Sequence, residues 1–349
     1  MEIKYINLFK GMDLTERKLP ILIERGKEGD RPVIWLCAGI HGDEVTGIEV
    51  IHRIFSYLKR NPLKKGSLFA IPIINSAGFE MVNRENPYDD EDINRNFPGD
   101  PDGNTTERLA SAIFNSITET KPDLVIDLHA DTQNSIAYAI IDRPVSAKIE
   151  IKEALEKSWK LVEKFGITVT CEGGIDLYKK YGLDKSLTGA LINQNQIPSF
   201  VVELGGPRVI DEHFARIGMR GIRNILNHLQ MIEEKEKPWV SETKIKTTEK
   251  LELIENITSS ESGIVDYLIK PGQFVKANTP LIKITNVLGK IEEIINSSRD
   301  YYIISLNDYS IAFPGSNLLI AAASSSQPKE ISKKPEEKKS DFPLNHPVS

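Results

Sequence analysis

The sequence has little of what would direct a protein to a membrane or to nucleic acid. Its 349 residues contain no apolar run long enough, at about 18 residues, to span a bilayer, and Met1-Glu2-Ile3-Lys4 does not begin a signal peptide. The net charge of -6 and the absence of a basic stripe with interleaved aromatic residues give no electrostatic basis for nucleic-acid binding. We therefore expect a cytoplasmic protein without a membrane or nucleic-acid partner.

Cysteine is scarce as well. Cys37 and Cys171 each lie in a predicted strand, and neither belongs to a Cys-x-x-Cys pair. Two reduced thiols in the core are therefore expected, rather than a disulfide, a redox pair or a cysteine metal site.

Ordinary core-forming residues are abundant, since 40% of the chain is hydrophobic and 27% is charged. A chain of this length can bury a full core and form two domains. Buried-type strands alternate with amphipathic helices, which predicts an α/β fold with a doubly wound, mixed but mostly parallel sheet and helices on both faces. The predicted strands cover residues 32–37, 68–74, 123–129, 135–141, 167–171 and 198–202, and the helices cover residues 44–59, 105–117, 147–165 and 211–232.

The pattern changes after a charged linker at residues 233–238. From about residue 241 to 323, short alternating runs and turn signals without a helical period predict a small all-β region. Residues 324–349 are rich in Ser, Pro, Lys and Glu and are expected to be disordered. We accordingly predict a catalytic α/β domain at residues 1–237, a β-rich, barrel-like domain at residues 238–323 and a tail.

Chemically versatile side chains follow the predicted strands. His41 and Glu44 come after the first strand, His129 ends the third, and Glu203 follows the last of the α/β region. A lone His-x-x-Glu pair is weak evidence, but carboxyl ends of parallel strands are where open α/β sheets bind ligands. Two histidines and a carboxylate around an open position form a catalytic zinc set, and a further carboxylate beside it suits a general base and acid.

A long polar segment, residues 75–103, separates the first and third of these ligand candidates, and a loop of that length is usually functional or disordered. It contains Arg84, Asn94 and Arg95. Arg84 has the chemistry to stabilise an oxyanion, and the Asn-Arg pair to hold a carboxylate. The alternative is that Arg84 and Arg95 merely form weak surface ion pairs with nearby acidic residues.

Four motifs follow one another along the chain. They are His41-Gly42-Asp43-Glu44, Asp92-Ile93-Asn94-Arg95-Asn96-Phe97-Pro98-Gly99, Asp127-Leu128-His129 and Val202-Glu203-Leu204-Gly205-Gly206. Their order resembles that of the succinylglutamate desuccinylase/aspartoacylase family, a branch of the zinc carboxypeptidase-like fold. The similarity extends over about residues 30–235. It implies one Zn²⁺ per chain, held by His41, Glu44 and His129.

The resemblance also implies roles for the remaining residues. Glu203 corresponds to the catalytic carboxylate, Asn94 and Arg95 to the pair that holds the substrate carboxylate, and Arg84 to the arginine that polarises the carbonyl, although its spacing to Asn94 varies. The implied function is zinc-dependent hydrolysis of the amide bond of an N-acyl amino acid or a related small amide. A zinc carboxypeptidase acting on peptides is the alternative, and a binding module without turnover is a third possibility that the complete residue set disfavours.

The C-terminal region is similar to the barrel of the bacterial deacylase branch and to a biotinyl/lipoyl-type module, through Lys270, Gly272 and Val275. No carrier lysine stands at the tip of an obvious hairpin, so a structural or substrate-limiting role is expected.

Other residues receive weaker assignments. Asp127 or Asp92 is a candidate for orienting a ligand histidine. Tyr178 and Tyr181 lie in a predicted loop, residues 177–182, that has the length to reach over the pocket. His52, His213 and His228 are expected to have packing or surface roles, and neither the oligomeric state nor the acyl and amine specificity follows from the sequence.

Overall fold

A computed structural model describes residues 1–234 and 237–324 of the chain. The helices are α1 (Thr46–Leu58), α2 (Ser76–Met81), α3 (Thr105–Thr118), α4 (Ile149–Phe165), α5 (Ile175–Lys180), α6 (Leu187–Asn195) and α7 (Glu212–His228). The strands are β1 (Glu2–Lys10), β2 (Glu16–Arg25), β3 (Val33–Ala38), β4 (Ser67–Ile71), β5 (Leu124–His129), β6 (Asn134–Ser135), β7 (Tyr138–Ile141), β8 (Thr168–Cys171), β9 (Ser199–Glu203), β10 (Leu251–Thr258), β11 (Gly263–Tyr267), β12 (Phe274–Val275), β13 (Pro280–Thr285), β14 (Ile291–Asn296), β15 (Tyr301–Leu306), β16 (Ile311–Ala312) and β17 (Asn317–Ser324).

A long mixed sheet organises the fold, with the strand order β1-β2-β4-β3-β5-β9-β7-β8-β10-β17-β15-β12. At its centre β4, β3, β5 and β9 run parallel, and the register places His129 directly beside Glu203. Every residue of β3 and β5 is buried, as expected for apolar strands covered on both faces. The parallel register therefore brings the ends of β3, β5 and β9 to one edge.

Helices cover both faces of this sheet. Helices α1, α4 and α7 bury their apolar stripes against one face, where Leu36 and Ile126 join their core. Helices α3 and α6 cover the other face, where Trp35 and Val125 point. The alternation of side chains along β5 then puts Asp127 and His129 on the same face as Val125.

The C-terminal region is all-β, as predicted. Strand β10 pairs in parallel with β8, so the long sheet continues into β17, β15 and β12. A smaller antiparallel sheet, with the order β14-β13-β11-β16, packs against this extension over an apolar core that includes Val265, Ile284 and Ile303. The predicted domain boundaries stay a prediction.

Several short elements differ from the sequence prediction. The polar segment 75–103 contains α2, and the predicted loop at residues 177–182 lies largely in α5. Six-residue helices are too short to show a helical period. Helix α6 was not predicted because almost all of it is buried, so it lacks a polar stripe. The predicted strand 135–141 is interrupted between β6 and β7, and β1 and β2 form an antiparallel pair that was not predicted.

Two further expectations concern the buried thiols and the chain terminus. Cys37 and Cys171 are buried free thiols, which confirms the prediction for them. Ser324, the first residue of the predicted disordered tail, is instead the last residue of β17 and is buried, because it pairs with Leu251 of β10. Residues 235–236 of the predicted linker and residues 325–349 of the predicted tail lie outside the described residues. Among the residues that the structure does describe, no helix has the length and apolar character needed to cross a bilayer.

Candidate active site

Tight turns carry His41 and Glu44 from the end of β3 into α1. Gly39 has a positive φ of 60°, a backbone conformation that favours glycine. A Cβ on Gly42 would overlap the backbone of Gly78 and Phe79 in α2. The backbone between β3 and α1 can therefore pass close to α2. This path directs the side chains of His41 and Glu44 towards the edge of the sheet where His129 ends β5.

The predicted metal ligands converge at this edge. His41 Nδ1 lies 2.6 Å from Glu44 Oε1, and His129 Nδ1 lies 3.0 Å from Glu44 Oε2. The two imidazole Nδ1 atoms are 3.3 Å apart. All three side chains are buried, and one ligand atom from each lies within 4.8 Å of the others. A search of residues 1–234 and 237–324 for three or more His, Cys, Asp or Glu side chains spaced to hold a metal ion finds this group.

The donor set fits zinc. Tetrahedral zinc with Zn–N bonds of about 2.0–2.1 Å places neighbouring nitrogen ligands about 3.3 Å apart. The separation of 3.3 Å between the two Nδ1 atoms matches that value. Two neutral imidazoles and one carboxylate are also the ligand types of catalytic zinc sites, which keep a position open for water or substrate.

Aspartates lie behind both histidines. Asp127 Oδ2 is 2.9 Å from His129 Nε2, on the side of the ring away from the cluster. Asp92 Oδ1 is 3.4 Å from His41 Nε2, a buried nitrogen without a hydrogen bond. Such carboxylates fix the ring orientation and tautomer of a ligand histidine. The structure thus gives Asp127 the closer contact of the two candidates predicted for this role.

The charges at the cluster support one another. Burial would raise the pKa of Glu44, but the neighbouring His41 and His129 hold it well below its ordinary value. Burial would lower the pKa of His129, but Asp127 and Glu44 raise it well above the ordinary value. A carboxylate that stays ionised in a buried setting provides a strong attraction for a cation.

Glu203 differs from Glu44 although both lie beside His129, since Glu44 is buried whereas Glu203 is half-buried. Its Oε2 atom is buried without a hydrogen-bond partner. Burial raises the pKa of Glu203 well above its ordinary value, and the negative charges of Glu44 and Asp131 add to that shift, while His129 opposes it. A carboxyl group in this condition exchanges protons closer to neutral pH, as a general base and acid requires.

Arg84 borders the cluster. Its Nη1 lies 3.3 Å from His41 Nδ1 and 3.7 Å from Glu44 Oε1, while its Nη2 is 3.0 Å from Asp92 Oδ2. The sequence left two interpretations of Arg84 open, an ion pair with an acidic neighbour and a role at the site. The two are compatible, since Arg84 pairs with Asp92 and also places its guanidinium beside the predicted metal ligands. Asp92 and Glu44 raise the pKa of Arg84 although its partial burial opposes them, so the positive charge is secure.

Asn94 and Arg95 make several contacts of their own. Asn94 Oδ1 accepts a hydrogen bond of 2.8 Å from the amide of Leu187 at the start of α6. Arg95 donates from Nε to the carbonyl of Tyr181 and from Nη1 to that of Asn94, both at 2.8 Å, and its Nη1 lies 3.9 Å from Asp92. Tyr181 thus reaches the site through its backbone.

Tyr178 does not reach over the site. It is buried in α5, and its hydroxyl donates to Asp142 at 2.8 Å. The other histidines of the described part of the chain, His52, His213 and His228, are exposed on α1 and α7, as expected.

The sequence analysis missed a polar junction next to Glu203. Asp131 follows His129 by two residues, and its carboxylate accepts hydrogen bonds from Tyr138 at 3.0 Å and from Ser305. A cavity of about 360 Å³ lies at this junction and is lined by Asp131, Thr132, Pro207, Ser305, Asn307, Asp308, Tyr309, Asn317, Leu318, Leu319 and Ile320. Spacing from His129 was a signal for Asp131, whereas Ser305 comes from the distant strand β15 and had none.

The fold is carboxypeptidase-like, with a mixed α/β sheet and an all-β C-terminal region. Residues 30–229 match the catalytic domain of the succinylglutamate desuccinylase/aspartoacylase family. The chain belongs to that family, which confirms the predicted resemblance.

Similar proteins agree with this assignment. N-alpha-acetyl-L-2,4-diaminobutyric acid deacetylase of Halomonas elongata is 29% identical over 208 residues, which are 59% of this chain and 57% of the relative. The match thus spans little more than half of that relative's length.

Solved structures show the same fold. The product-bound ectoine utilization protein EutE (DoeB) of Ruegeria pomeroyi has a TM-score of 0.75 at 20% identity, covering 93% of this chain and 95% of that one. A metallo-carboxypeptidase of Burkholderia cenocepacia has a TM-score of 0.51 at 14% identity, covering 65% and 64%. These similarities confirm the predicted fold class.

Proposed function

We propose that the protein is a zinc-dependent deacylase that hydrolyses the amide bond of an N-acyl amino acid or a related small amide. The observation that carries the proposal is the buried convergence of His41, Glu44 and His129 beside Glu203, a glutamate with an unpartnered oxygen. A buried group of this composition is costly to keep unless it binds a cation or does chemistry.

Zinc at this position would be held by His41 Nδ1, His129 Nδ1 and Glu44. When bound there, it would supply a Lewis acid that polarises a carbonyl and lowers the pKa of water towards neutrality. Asp127 and Asp92 would keep the two imidazole rings turned towards the ion, because they lie against the opposite ring nitrogens.

The remaining steps use the side chains of the chain itself. Glu203 accepts a proton from the attacking water and returns it to the leaving amine, since its raised pKa makes both transfers accessible near neutral pH. Arg84 places a permanent positive charge where negative charge develops on the carbonyl oxygen. Arg95, with Asn94 beside it, binds the substrate carboxylate through guanidinium N–H groups that its backbone contacts leave free.

The substrate class follows from the family. The Halomonas relative is named for the removal of an acetyl group from an N-acetylated diamino acid. N-Acetyl amino acids, including N-acetyl diamino acids, are therefore the first substrates to test, and N-succinyl and N-acyl dipeptide substrates extend the panel.

The decisive experiment assays the purified, zinc-loaded protein against this panel by release of free amine. We expect hydrolysis of at least one small N-acyl amino acid, with rates that fall as peptide substrates lengthen. Glu203→Gln should lower kcat by about 10²- to 10⁴-fold, the usual contribution of a general base, while zinc content stays at one ion per chain. Full activity in Glu203→Gln contradicts the assigned base, and faster cleavage of longer peptides favours a carboxypeptidase.

A further inference from the structure

In the short segment that follows His129, several backbone amides donate hydrogen bonds to neighbouring parts of the fold. The amide of Ala130 donates to Glu44 Oε2 at 2.9 Å, and the amide of Asp131 donates to the carbonyl of Gly205 at 2.8 Å. The amide of Gln133 donates to both carboxylate oxygens of Asp308, at 3.0 and 3.1 Å. The first two partners belong to the catalytic region, whereas Asp308 comes from the C-terminal β region.

The C-terminal region holds this segment at more than one point. Strand β15 pairs with β6, with Ser305 opposite Ser135, and the amide of Ile136 donates to the carbonyl of Ile304. The buried hydroxyl of Ser305 also hydrogen-bonds the Asp131 carboxylate. Residues 130–136 therefore lie between the catalytic strands on one side and β15 with its following turn on the other.

The segment in turn packs on the turn that carries the general base. A Cβ on Gly206 would lie 2.5 Å from Gln133 Cγ and 2.7 Å from Gln133 N, so the Gln133 backbone rests directly against Gly206. Asp131 is bonded to Gly205 in the same turn. Glu203 immediately precedes this turn, and Leu204 donates its amide to the carbonyl of His129 at 3.0 Å.

We propose that the C-terminal β region positions the catalytic pocket through Ser305 and Asp308, which fix the segment 130–133 against the turn that follows Glu203. Ser305 and Asp308 are positioning residues, since they act on the Glu203 turn through Asp131 and Gln133. The inference rests on the proposed function in assigning Glu203 as the base. The C-terminal region was predicted to have a structural role, and the proposal specifies what it holds in place, namely the segment 130–133.

Two substitutions test the contacts one at a time. Ser305→Ala removes the hydroxyl that binds Asp131, and Asp308→Asn removes one of the two acceptors of the Gln133 amide. Ser297→Ala is the matched control for the first, because Ser297 is also buried in this region and bonds the carbonyls of Lys276 and Arg299. Asp300→Asn is the matched control for the second, because Asp300 accepts a backbone amide, that of Ala277.

Hydrogen–deuterium exchange measured by mass spectrometry reports how firmly the backbone amides of the segment are held, and it needs no substrate. Peptides covering residues 130–136 should exchange about 10-fold faster in Ser305→Ala and Asp308→Asn than in the wild type or either control. Zinc content should stay at one ion per chain in all four variants. Unchanged exchange in both test variants overturns the proposal.

Steady-state kinetics on the best substrate of the panel test whether the segment affects the position of Glu203. A base displaced by a fraction of an ångström slows the chemical step more than binding, so kcat should fall about 10-fold with KM within two-fold. Both controls should keep wild-type kcat. Faster exchange with unchanged kcat overturns the link to the base. A wild type that cleaves no amide instead refutes the proposed function, and the exchange measurement still decides whether Ser305 and Asp308 hold the segment.

Discussion

The strand-end site and the C-terminal β region bury different kinds of polar groups. At the ends of β3, β5 and β9 the buried polar side chains include His41, Glu44, Asp127 and His129. Among the described residues from 241 to 324, the buried polar side chains are serines. Hydroxyl groups are satisfied by one or two hydrogen bonds, whereas buried charges need opposite charges or a metal ion.

This difference indicates that the strand-end site has a chemical role and that the C-terminal β region has a structural one. A region that buried charges only for stability would do better with apolar side chains of similar volume, because replacing a whole buried ion pair by well-packed apolar residues is often neutral or stabilising. The strand-end charges are therefore best explained by function. The serines of the C-terminal region satisfy backbone carbonyls and, through Ser305, reach the other region.

The largest effect should come from removing a metal ligand. His129→Ala deletes one of three donors, so zinc content should fall from one ion per chain to nearly none and activity by at least about 10³-fold. Metal analysis by mass spectrometry and the amine-release assay measure both. His213→Ala, on the exposed side of α7, is the control and should keep both values. Retained zinc in His129→Ala would refute the ligand set.

Charge at the site should matter far more than charge on the C-terminal sheet. Arg84→Ala removes the cation beside Glu44 and should lower kcat by about 10²- to 10³-fold with zinc retained. Lys283→Ala breaks the ion pair of Lys283 with Asp266 on β11 and should change the free energy of unfolding by less than about 1 kcal/mol. Steady-state kinetics and urea denaturation of both variants make the comparison. Equal activity of the two variants contradicts it.

The aspartates behind the ligands should tune zinc binding. Asp127→Asn weakens the hold on the His129 ring, and zinc affinity should fall about 10- to 100-fold. Asp92→Asn should have a smaller effect on affinity, because its contact with His41 Nε2 is longer. Competition with a fluorescent zinc chelator measures both affinities. An affinity loss in Asp92→Asn that exceeds the loss in Asp127→Asn would reverse the assigned order.

The last prediction concerns stability alone. Burial raises the pKa of Asp142 to about 6, while the unfolded chain has a value near 3.8. The native state thus binds the proton more tightly, so this stabilisation is complete below about pH 4 and is lost as the pH rises through 6, by up to about 3 kcal/mol.

Asp142→Asn removes this titration and leaves an acceptor for the Tyr178 hydroxyl. Between pH 4 and 7 the free energy of unfolding of the variant should therefore rise relative to the wild type by up to about 3 kcal/mol. Urea denaturation at fixed ionic strength measures the difference. Parallel pH profiles of the two proteins would show that Asp142 does not titrate in this range.

Much of the α/β architecture was predictable because its signals are local. The apolar runs of β3, β5 and β9 and the periodic stripes of α1, α4 and α7 carry their structure in their own sequences. Helix α6 was not predictable in this way, because a helix buried nearly all round has no polar face. The pairing of β10 with β8 joins residues far apart in sequence, and no local pattern encodes it.

The sequence by itself determined which residues could do the chemistry. His41, Glu44, His129 and Glu203 were identifiable because strand ends in a parallel sheet meet at one edge. Only the tertiary structure decided their states and neighbours. Burial and the facing histidines divide two glutamates into one held ionised and one with a raised pKa, and packing against β15 brings Ser305 to Asp131 and Asp308 to Gln133. Such properties depend on distances across the fold, which residue order does not specify.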